Sequence, residues 1–538
     1  MKKIPNKRLK ETFGSVVLVN PNNFGNYVQG AFQREHLGLG YLAAELMESG
    51  FNSQIIDSRI LAQTPKQAVD DILKRNPSIL GFSIIAKSAA KWCQQVAIQV
   101  KAKKPDIHIT MGNYFPSLQP ERALASVPSA DSIILFEGDY SFPELASCLA
   151  QSKQWKKIKG LIYRDSGRVK CNPVGKVVAN LDELPFPIHT AGQYGLNEFA
   201  IEGSRGCYLR CIFCSIGTFF GHCQRQERWR ARSAKSLVTE IKNCLNAFPK
   251  INRFRFVDPD FCGASSPQHL IRLNQIIQEF KRVGRKFEFI IDTRSTVVNT
   301  IPKSVWKRLK DVGLSEVYLG IESATKRIKR KLGKGSFFTD DLKAFRVLEK
   351  LRIRVRYGFM MITPWSTEED IIANAKAIKN LGFPRIDKYF QEMFVVPGTK
   401  AVELTRQVSK LWFDQNGEGE YYTYELPTTL HNLRSISRAL TTNSLTFLKK
   451  YQNLHESIRR CFEDQRENVE IYKNSFNNLS YHFFMSVFEI AKKFGKKMTN
   501  TEVKDAVNNV TRVYKKKVNS LEKDFCSRKG GKNDDIKL

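Results

Sequence analysis

Strand-like and helix-like segments alternate along two separate stretches of this chain, and that alternation admits few architectures. In the first stretch Val16–Asn20, Ser53–Asp57, Ser78–Ser83, Asp106–Gly112 and Asp131–Gly138 read as short apolar strands. Leu37–Gly50, Pro65–Asn76 and an Ala/Lys/Gln-rich run through Lys101 carry helical spacing between them. Such an order forms a parallel sheet covered on both faces, so residues 1–150 are expected to be α/β, a doubly wound domain of Rossmann or flavodoxin-like type. Its ligand belongs at the carboxyl ends of the strands.

Residues 151–195 hold a hairpin pattern, Gly160–Pro173, and a Pro-punctuated linker, Leu181–Thr190. The alternation then restarts. Glu198–Gly203, Arg253–Asp258, Lys286–Asp292, Glu316–Glu322, Arg354–Ile362 and Asp387–Val395 are candidate strands. Six βα units over residues 196–400 predict a partial (β/α)6 barrel, with one long doubly wound sheet as the alternative. After Pro397-Gly398-Thr399 the strand pattern ends, and residues 401–538 read as a C-terminal helical region with a basic tail.

Apolar residues make up 42% of the 538 and aromatics 11%, which excludes a mostly disordered chain. The 86 Lys and Arg against 53 Asp and Glu leave a charge of +33. That excess suits nucleic acid, an anionic membrane surface or an acidic substrate, but it is spread along the chain and reads first as composition. No stretch approaches the ~18 uncharged apolar residues of a spanning helix. No apolar leader core follows the basic N-terminus, so the expected location is cytoplasmic, without a transmembrane segment. There the eleven cysteines are thiols, metal ligands or catalytic groups rather than a disulfide framework.

Cys207, Cys211 and Cys214 form a C-x3-C-x2-C run directly after a predicted strand, within GSRGCYLRCIFCSIG. Structural zinc takes four protein ligands, commonly as two pairs, and no second pair of matching spacing exists. Three soft thiolates suit an iron–sulfur cubane instead, and leave one of its irons open to an outside ligand. Cys223 is a weaker candidate for an auxiliary centre.

The run Cys207-Tyr-Leu-Arg-Cys211-Ile-Phe-Cys214 resembles the radical S-adenosylmethionine (SAM) superfamily signature. RWRARSAKSLVTEI after the loop, GIES at Gly320 to Ser323 and PGT at Pro397 to Thr399 fit the same resemblance. The preceding sheet, with FEGD at Phe136 to Asp139 and LPFP at Leu184 to Pro187, resembles the cobalamin-binding module of the B12-dependent subclass. The resemblance implies that Cys207, Cys211 and Cys214 ligate a [4Fe–4S] cluster whose open iron chelates SAM. One electron, from a donor such as flavodoxin or ferredoxin, would cleave SAM to methionine and a 5′-deoxyadenosyl radical. Phe213 would lie against adenine, and Glu322 and Asp258 would face the ribose or methionine part. Arg294 would hold the methionine carboxylate. The alternative for Glu322 and Asp258 is a carboxylate stabilised at a helix N-terminus, and for Arg294 half of a surface ion pair. No catalytic residue beyond these is implied.

The loops at Asn20 to Asn22, Ser83 to Ile85, Gly112-Asn113-Tyr114 and Glu137-Gly138-Asp139 close the first strands and are the candidates for contacting the corrin. No D-x-H-x-x-G string is present, and His36 opens a helix without the Asp. Cobalamin would then sit without a protein histidine on its cobalt. The leading reading is a cobalamin-dependent radical SAM C-methyltransferase acting on an unactivated carbon of a natural-product, peptide or lipid substrate. A cyclase or rearrangement enzyme with the same cofactors is the alternative, and an RNA-modifying enzyme or nucleic-acid-binding protein ranks third. Two cofactors acting on one carbon require the two α/β domains to face each other. Tyr421, Tyr422, Tyr424 and Phe483 are expected to cap the pocket between them.

Overall fold

The computed structural model describes residues 14–22, 34–221, 228–413, 419, 421–443, 445–463 and 469–528. Its first sheet has seven strands. They are β1 (Ser15–Asn20), β2 (Ser53–Asp57), β3 (Pro77–Ser83), β4 (His108–Gly112), β5 (Ser132–Ile134), β6 (Leu161–Asp165) and β7 (Arg168–Cys171), in the order β2-β1-β3-β4-β5-β6-β7. The first five are parallel, and the hairpin β6–β7 extends their edge antiparallel. β1 is buried along its whole length because helices cover both faces. Val17 and Val19 pack with Leu80, Phe82 and Trp92 on one side. Val16 and Leu18 pack with Leu39 and Phe142 on the other. The order reverses between β1 and β3, the switch point where doubly wound sheets bind ligands. The fifth strand stops four residues short of its expected end at Gly138, because Phe136 takes φ +60°, outside the extended region.

The second sheet is wholly parallel. β8 (Phe199–Ile201), β11 (Arg253–Phe256), β12 (Glu288–Thr293), β13 (Leu314–Glu322) and β14 (Arg354–Phe359) lie in the order β14-β13-β12-β11-β8. A short antiparallel pair, β9 (Ser204–Gly206) with β10 (Trp229–Ala231), follows β8 and was not legible in the sequence pattern. Phe254, Phe256, Phe289, Val317 and Leu319 face the covering helices. Arg255 reaches the other way, to Glu316 at 3.2 Å and Asp292 at 3.9 Å, and Arg354 and Arg356 also pair with Glu316.

The sixth expected strand, Asp387–Val395, differs. It makes a short 3-10 turn, Ile386–Tyr389, and one parallel bridge, Ile362 to Glu392, beside β14. Its rings are anchored elsewhere: Tyr389 stacks on Phe484 and Phe390 sits against Phe483, both on the C-terminal helix Val469–Lys493. The chain therefore keeps the sixth position without strand geometry. Strand structure also recurs past Pro397, as the hairpin β15 (Leu411–Phe413) with β16 (Tyr422–Tyr424). Four helices follow, Thr428–Asn443, Leu445–Glu463, Val469–Lys493 and Asn500–Arg528. Among the described residues no helix is long and apolar enough to cross a membrane.

Buried ion pairs bind the two α/β halves. Glu35, just before the helix Leu37–Glu48, accepts hydrogen bonds from the backbone N–H groups of Thr190, Ala191 and Ala200. His189 donates from Nδ1 to Glu35 at 2.9 Å and from Nε2 to Glu240 at 3.1 Å. Glu240 in turn meets Arg232, whose Nη1 also donates to Tyr41. Burial alone would lower the His189 pKa, but Cys244, Glu240 and Glu35 outweigh it and hold the imidazolium well above its ordinary 6.5. Linker, first domain and barrel thus share one buried cation.

Removing that cation leaves Glu35 buried with only backbone N–H donors and Glu240 with Arg232 alone, so H189Q is expected to lose about 3–5 kcal/mol of stability. The folded protein holds the His189 proton more tightly than the unfolded chain does. Its contribution is therefore complete below the ordinary value of 6.5 and drains away as pH rises through the higher folded value. Denaturation curves at pH 6 and pH 9 should show the gap between wild type and H189Q narrowing at the higher pH. An unchanged gap would show that the imidazole is neutral in the fold.

Candidate active site

The cysteines lie on the loop that leaves β9. Cys207 follows the strand, Cys214 stands just before the helix Ser215–Phe219, and the Cys214 N–H donates to the Cys211 carbonyl at 3.1 Å. All three are half-buried free thiols. Burial pushes the Cys207 thiol up to about 12, with Asp260 adding to it and Arg294 opposing it. Burial pushes Cys211 up to about 11 against the pull of the Lys334 ammonium, and raises Cys214 likewise. Thiols so placed become thiolates on binding metal, with release of their protons. Among the described residues no set of three or more His, Cys, Asp or Glu side chains converges as the ligands of a single metal ion would. The donor set of three soft thiolates on one loop fits a cluster's separate irons. Cys223 lies outside the described residues.

Asp258 and Arg294 sit behind this loop. The Asp258 carboxylate accepts from the Gly203 N–H and the Ser204 hydroxyl, both at 2.7 Å, and so fixes the turn between β8 and β9. Burial pushes its pKa up to about 7. Arg294 donates from Nε to Asp260 at 2.7 Å and from Nη2 to the Gly263 carbonyl at 2.6 Å. Its expected ion pair is thus real but buried, and Asp260, fully buried, is a partner the sequence reading missed.

Glu322 and Phe213 line one cavity. The β13–β14 register shifts between Gly320 and Glu322, and Glu322 has φ +68°. Bulges of this kind re-aim a side chain, and the strained backbone costs of order 1–3 kcal/mol. The carboxylate lies across Gly320 and Gly358. A Cβ on Gly320 would come within 2.9 Å of Glu322 Oε1, and one on Gly358 within 3.2 Å of both carboxylate oxygens. Glu322 and Phe213 open onto a cavity of about 510 Å³ walled by Tyr318, Phe359, Met360, Phe390 and Phe394. Its far wall is Arg434, Ser437 and Arg438 on the helix Thr428–Asn443, with Glu392 between. Arg438 donates to Glu392 at 2.7 Å. These helix residues carry no pattern that separates them in sequence from an ordinary solvated face.

The aromatics expected to cap the pocket divide. Tyr421 stacks on the cavity residue Phe394, Tyr422 donates its N–H to the Val395 carbonyl, and the Tyr424 hydroxyl reaches the Ile362 carbonyl. Phe483 is fully buried in the helical core, against Phe390, Phe447 and Tyr514.

At the first sheet, Ser83, Gly112 and Asn113 gather at the ends of β3 and β4. Asn113 Nδ2 and His36 Nε2 both meet the Ser83 hydroxyl at 2.8 Å. His36 Nδ1 accepts from the Leu39 N–H at 3.2 Å, so both ring nitrogens are engaged. Burial lowers its pKa to about 4, keeping the imidazole neutral. Asn20 turns aside to Asp57 at 2.9 Å. Glu137 is bound by Arg230 at 2.5 Å, and Asp139 by Arg205 at 2.8 Å, while Gly138 between them packs near Leu42. Both ion pairs cross to the cysteine half of the molecule. Phe219, in the helix after Cys214, completes the contact against Tyr114 at 4.8 Å and Phe136 at 5.3 Å. The carboxyl ends of the two sheets therefore face each other.

Residues 201–401 match the Radical SAM superfamily, and residues 31–146 match the B12 binding domain. The uncharacterized methyltransferase PH0819 of Pyrococcus horikoshii is 29% identical over 353 residues, which is 64% of this chain and 73% of that protein. The 4′-phospho-dehydrooxetanocin synthase of Priestia megaterium is 25% identical over 369 residues, 64% of this chain and 48% of the synthase. This chain thus spans about half of that larger protein. The solved structure of the cobalamin-dependent S-adenosylmethionine radical enzyme OxsB, with aqua-cobalamin and SAM bound, shares the fold at a TM-score of 0.74 and 19% identity. That match takes in 96% of this chain and 80% of the other. The chain thus joins a B12 binding domain to a Radical SAM domain in that order, and the cofactors this pair of domains implies are a [4Fe–4S] cluster, SAM and cobalamin.

Proposed function

We propose that the enzyme transfers a methyl group to an unactivated carbon of a small natural-product, peptide or lipid substrate held in the cavity beside Glu322. The observation that carries this is the facing of the two sheets, with Phe219 against Tyr114 and Phe136. A corrin at one set of strand ends and a cluster at the other would then bracket one space. When bound, the cluster and SAM supply one-electron radical chemistry, and the corrinoid supplies a transferable methyl group. Cys207, Cys211 and Cys214 would hold the cluster, and Phe213 and Glu322 would face SAM. Asp258 and Arg294 would keep the cysteine loop in place from behind. Ser83, Gly112 and Asn113 would meet the corrin. The aromatic cavity walls would keep water from the reacting carbon, and Arg434, Ser437 and Arg438 would orient the substrate's polar end. The relative PH0819 carries the name methyltransferase, which supports methyl transfer. The second relative is named a synthase and not a methyltransferase, which keeps a cyclisation or rearrangement with the same cofactors as the second reading.

Incubation with methyl-labelled SAM separates the two readings, once a substrate is found by screening extracts for labelled product. Label on carbon in the product is expected, and a rearranged product free of label would replace methyl transfer with the second reading.

Anaerobic reconstitution should load about four irons per chain. Changing Cys207, Cys211 and Cys214 together to Ala should remove the iron, the cluster absorbance and all SAM cleavage. Cleavage that survives the triple change would remove these cysteines from the site.

Because both nitrogens of His36 are already engaged, the cobalt of the reduced corrinoid complex should show no histidine-nitrogen splitting in its EPR spectrum. A split spectrum that collapses in H36A would contradict this.

A further inference from the structure

Lys334 is absorbed by none of the roles above. It lies in the segment Leu332–Gly335, which runs alongside the cysteine loop. The Leu332 carbonyl accepts from the Ile212 N–H at 3.1 Å, directly after Cys211. Gly333 has φ +72°, and a Cβ there would stand 3.2 Å from the Arg210 carbonyl and 3.7 Å from the Cys211 Cα. Gly335 approaches Leu209 in the same way, at 3.8 Å. Glycines on both sides thus let the backbone lie against the loop and send the lysine inward. Its side chain is 8% exposed, and its ammonium faces Glu322 at 3.9 Å, beyond hydrogen-bond distance. A Cβ on Gly320 would stand 2.9 Å from this ammonium, so that glycine leaves it room.

The other buried cations nearby are already matched. Arg294 is held by Asp260, and Lys329 by Asp341 and the Ile321 carbonyl. Lys334 instead acts across space on Glu322, Cys211, Asp341 and Cys207. Burial opposes its charge, yet these groups keep it protonated. A cluster on three thiolates is anionic and gains a further negative charge on reduction. A fixed positive charge in a low-dielectric surrounding favours that gain.

We infer that Lys334 is a positioning residue that eases one-electron reduction of the cluster and keeps Glu322 turned toward SAM. The proposal rests on the cluster reading above. The step it assists moves one electron from a low-potential donor to the cluster, with no bond or proton changed.

The test is an EPR-monitored redox titration of the reconstituted full chain with dithionite as the donor, with iron analysis alongside. K334M should keep about four irons and shift the midpoint to more negative potential. K334R, which keeps the charge, should stay near wild type, and K326M, at the exposed start of the helix Lys326–Lys331, should leave the midpoint unchanged. K334M with full iron and a wild-type midpoint would overturn the proposal. Should K334M lose its iron, recovery of iron and midpoint in K334R supports the role of the charge, and loss in both variants overturns it. A wild-type chain that takes up no iron at all would instead sink the cluster reading, and this proposal with it.

Discussion

Arg205 stands two residues before the first cysteine, and its guanidinium is buried against Asp139 of the opposite domain. A buried ion pair adds little net stability over an apolar contact, but separating it exposes each charge to a medium that cannot solvate it. The pair therefore acts as a constraint on geometry. Arg230 with Glu137 stands beside it, Arg205 itself reaching Glu137 at 3.7 Å, and His189 between Glu35 and Glu240 adds a further link. Together they hold the carboxyl ends of two independent sheets face to face, and every reading of the site depends on that alignment. Glu137 and Asp139, on a loop expected to contact the corrin, are engaged by Arg230 and Arg205 across this interface.

Within the barrel half the decisive feature is local. A register shift in the β13–β14 pair and a positive φ turn one carboxylate, Glu322, out of the ordinary alternation of its strand. Gly320 and Gly358 are required because the carboxylate lies directly over them. The result is a negatively charged group beside the cysteine loop, above aromatic walls, with its countercharge supplied by Lys334 from a separate segment. Strain of this kind persists only where surrounding structure over-determines it, which is typical of ligand sites.

Much of the architecture was legible because burial on both faces leaves a clear trace. Continuous apolar runs such as Val16–Val19 have few other uses, and nearly all the parallel strands lie within a few residues of where the pattern puts them. The failures share a cause. Asp387–Val395 is rich in the aromatic residues strands favour, but Tyr389 and Phe390 are drawn to rings on a helix almost a hundred residues later. The β9–β10 and β15–β16 pairs, three residues per strand, are too short to leave a period. For Arg294, read as holding the methionine carboxylate or as half of a surface ion pair, nothing in a linear string reveals that Asp260 lies beside it.

The sequence by itself determined the two α/β units, the helical tail and the three cysteines. Hydrophobic periodicity and ligand spacing are local properties, written within a few residues of each other. The tertiary structure decided which charged groups are free to act. Asp258, Glu137 and Arg294 are consumed by partners 34 to 93 residues away, while Glu322 and Lys334, twelve positions apart, are brought beside the cysteine loop. Whether a buried charge binds a ligand or a neighbour depends on what the fold places within a few ångströms of it, and only the packed chain sets that.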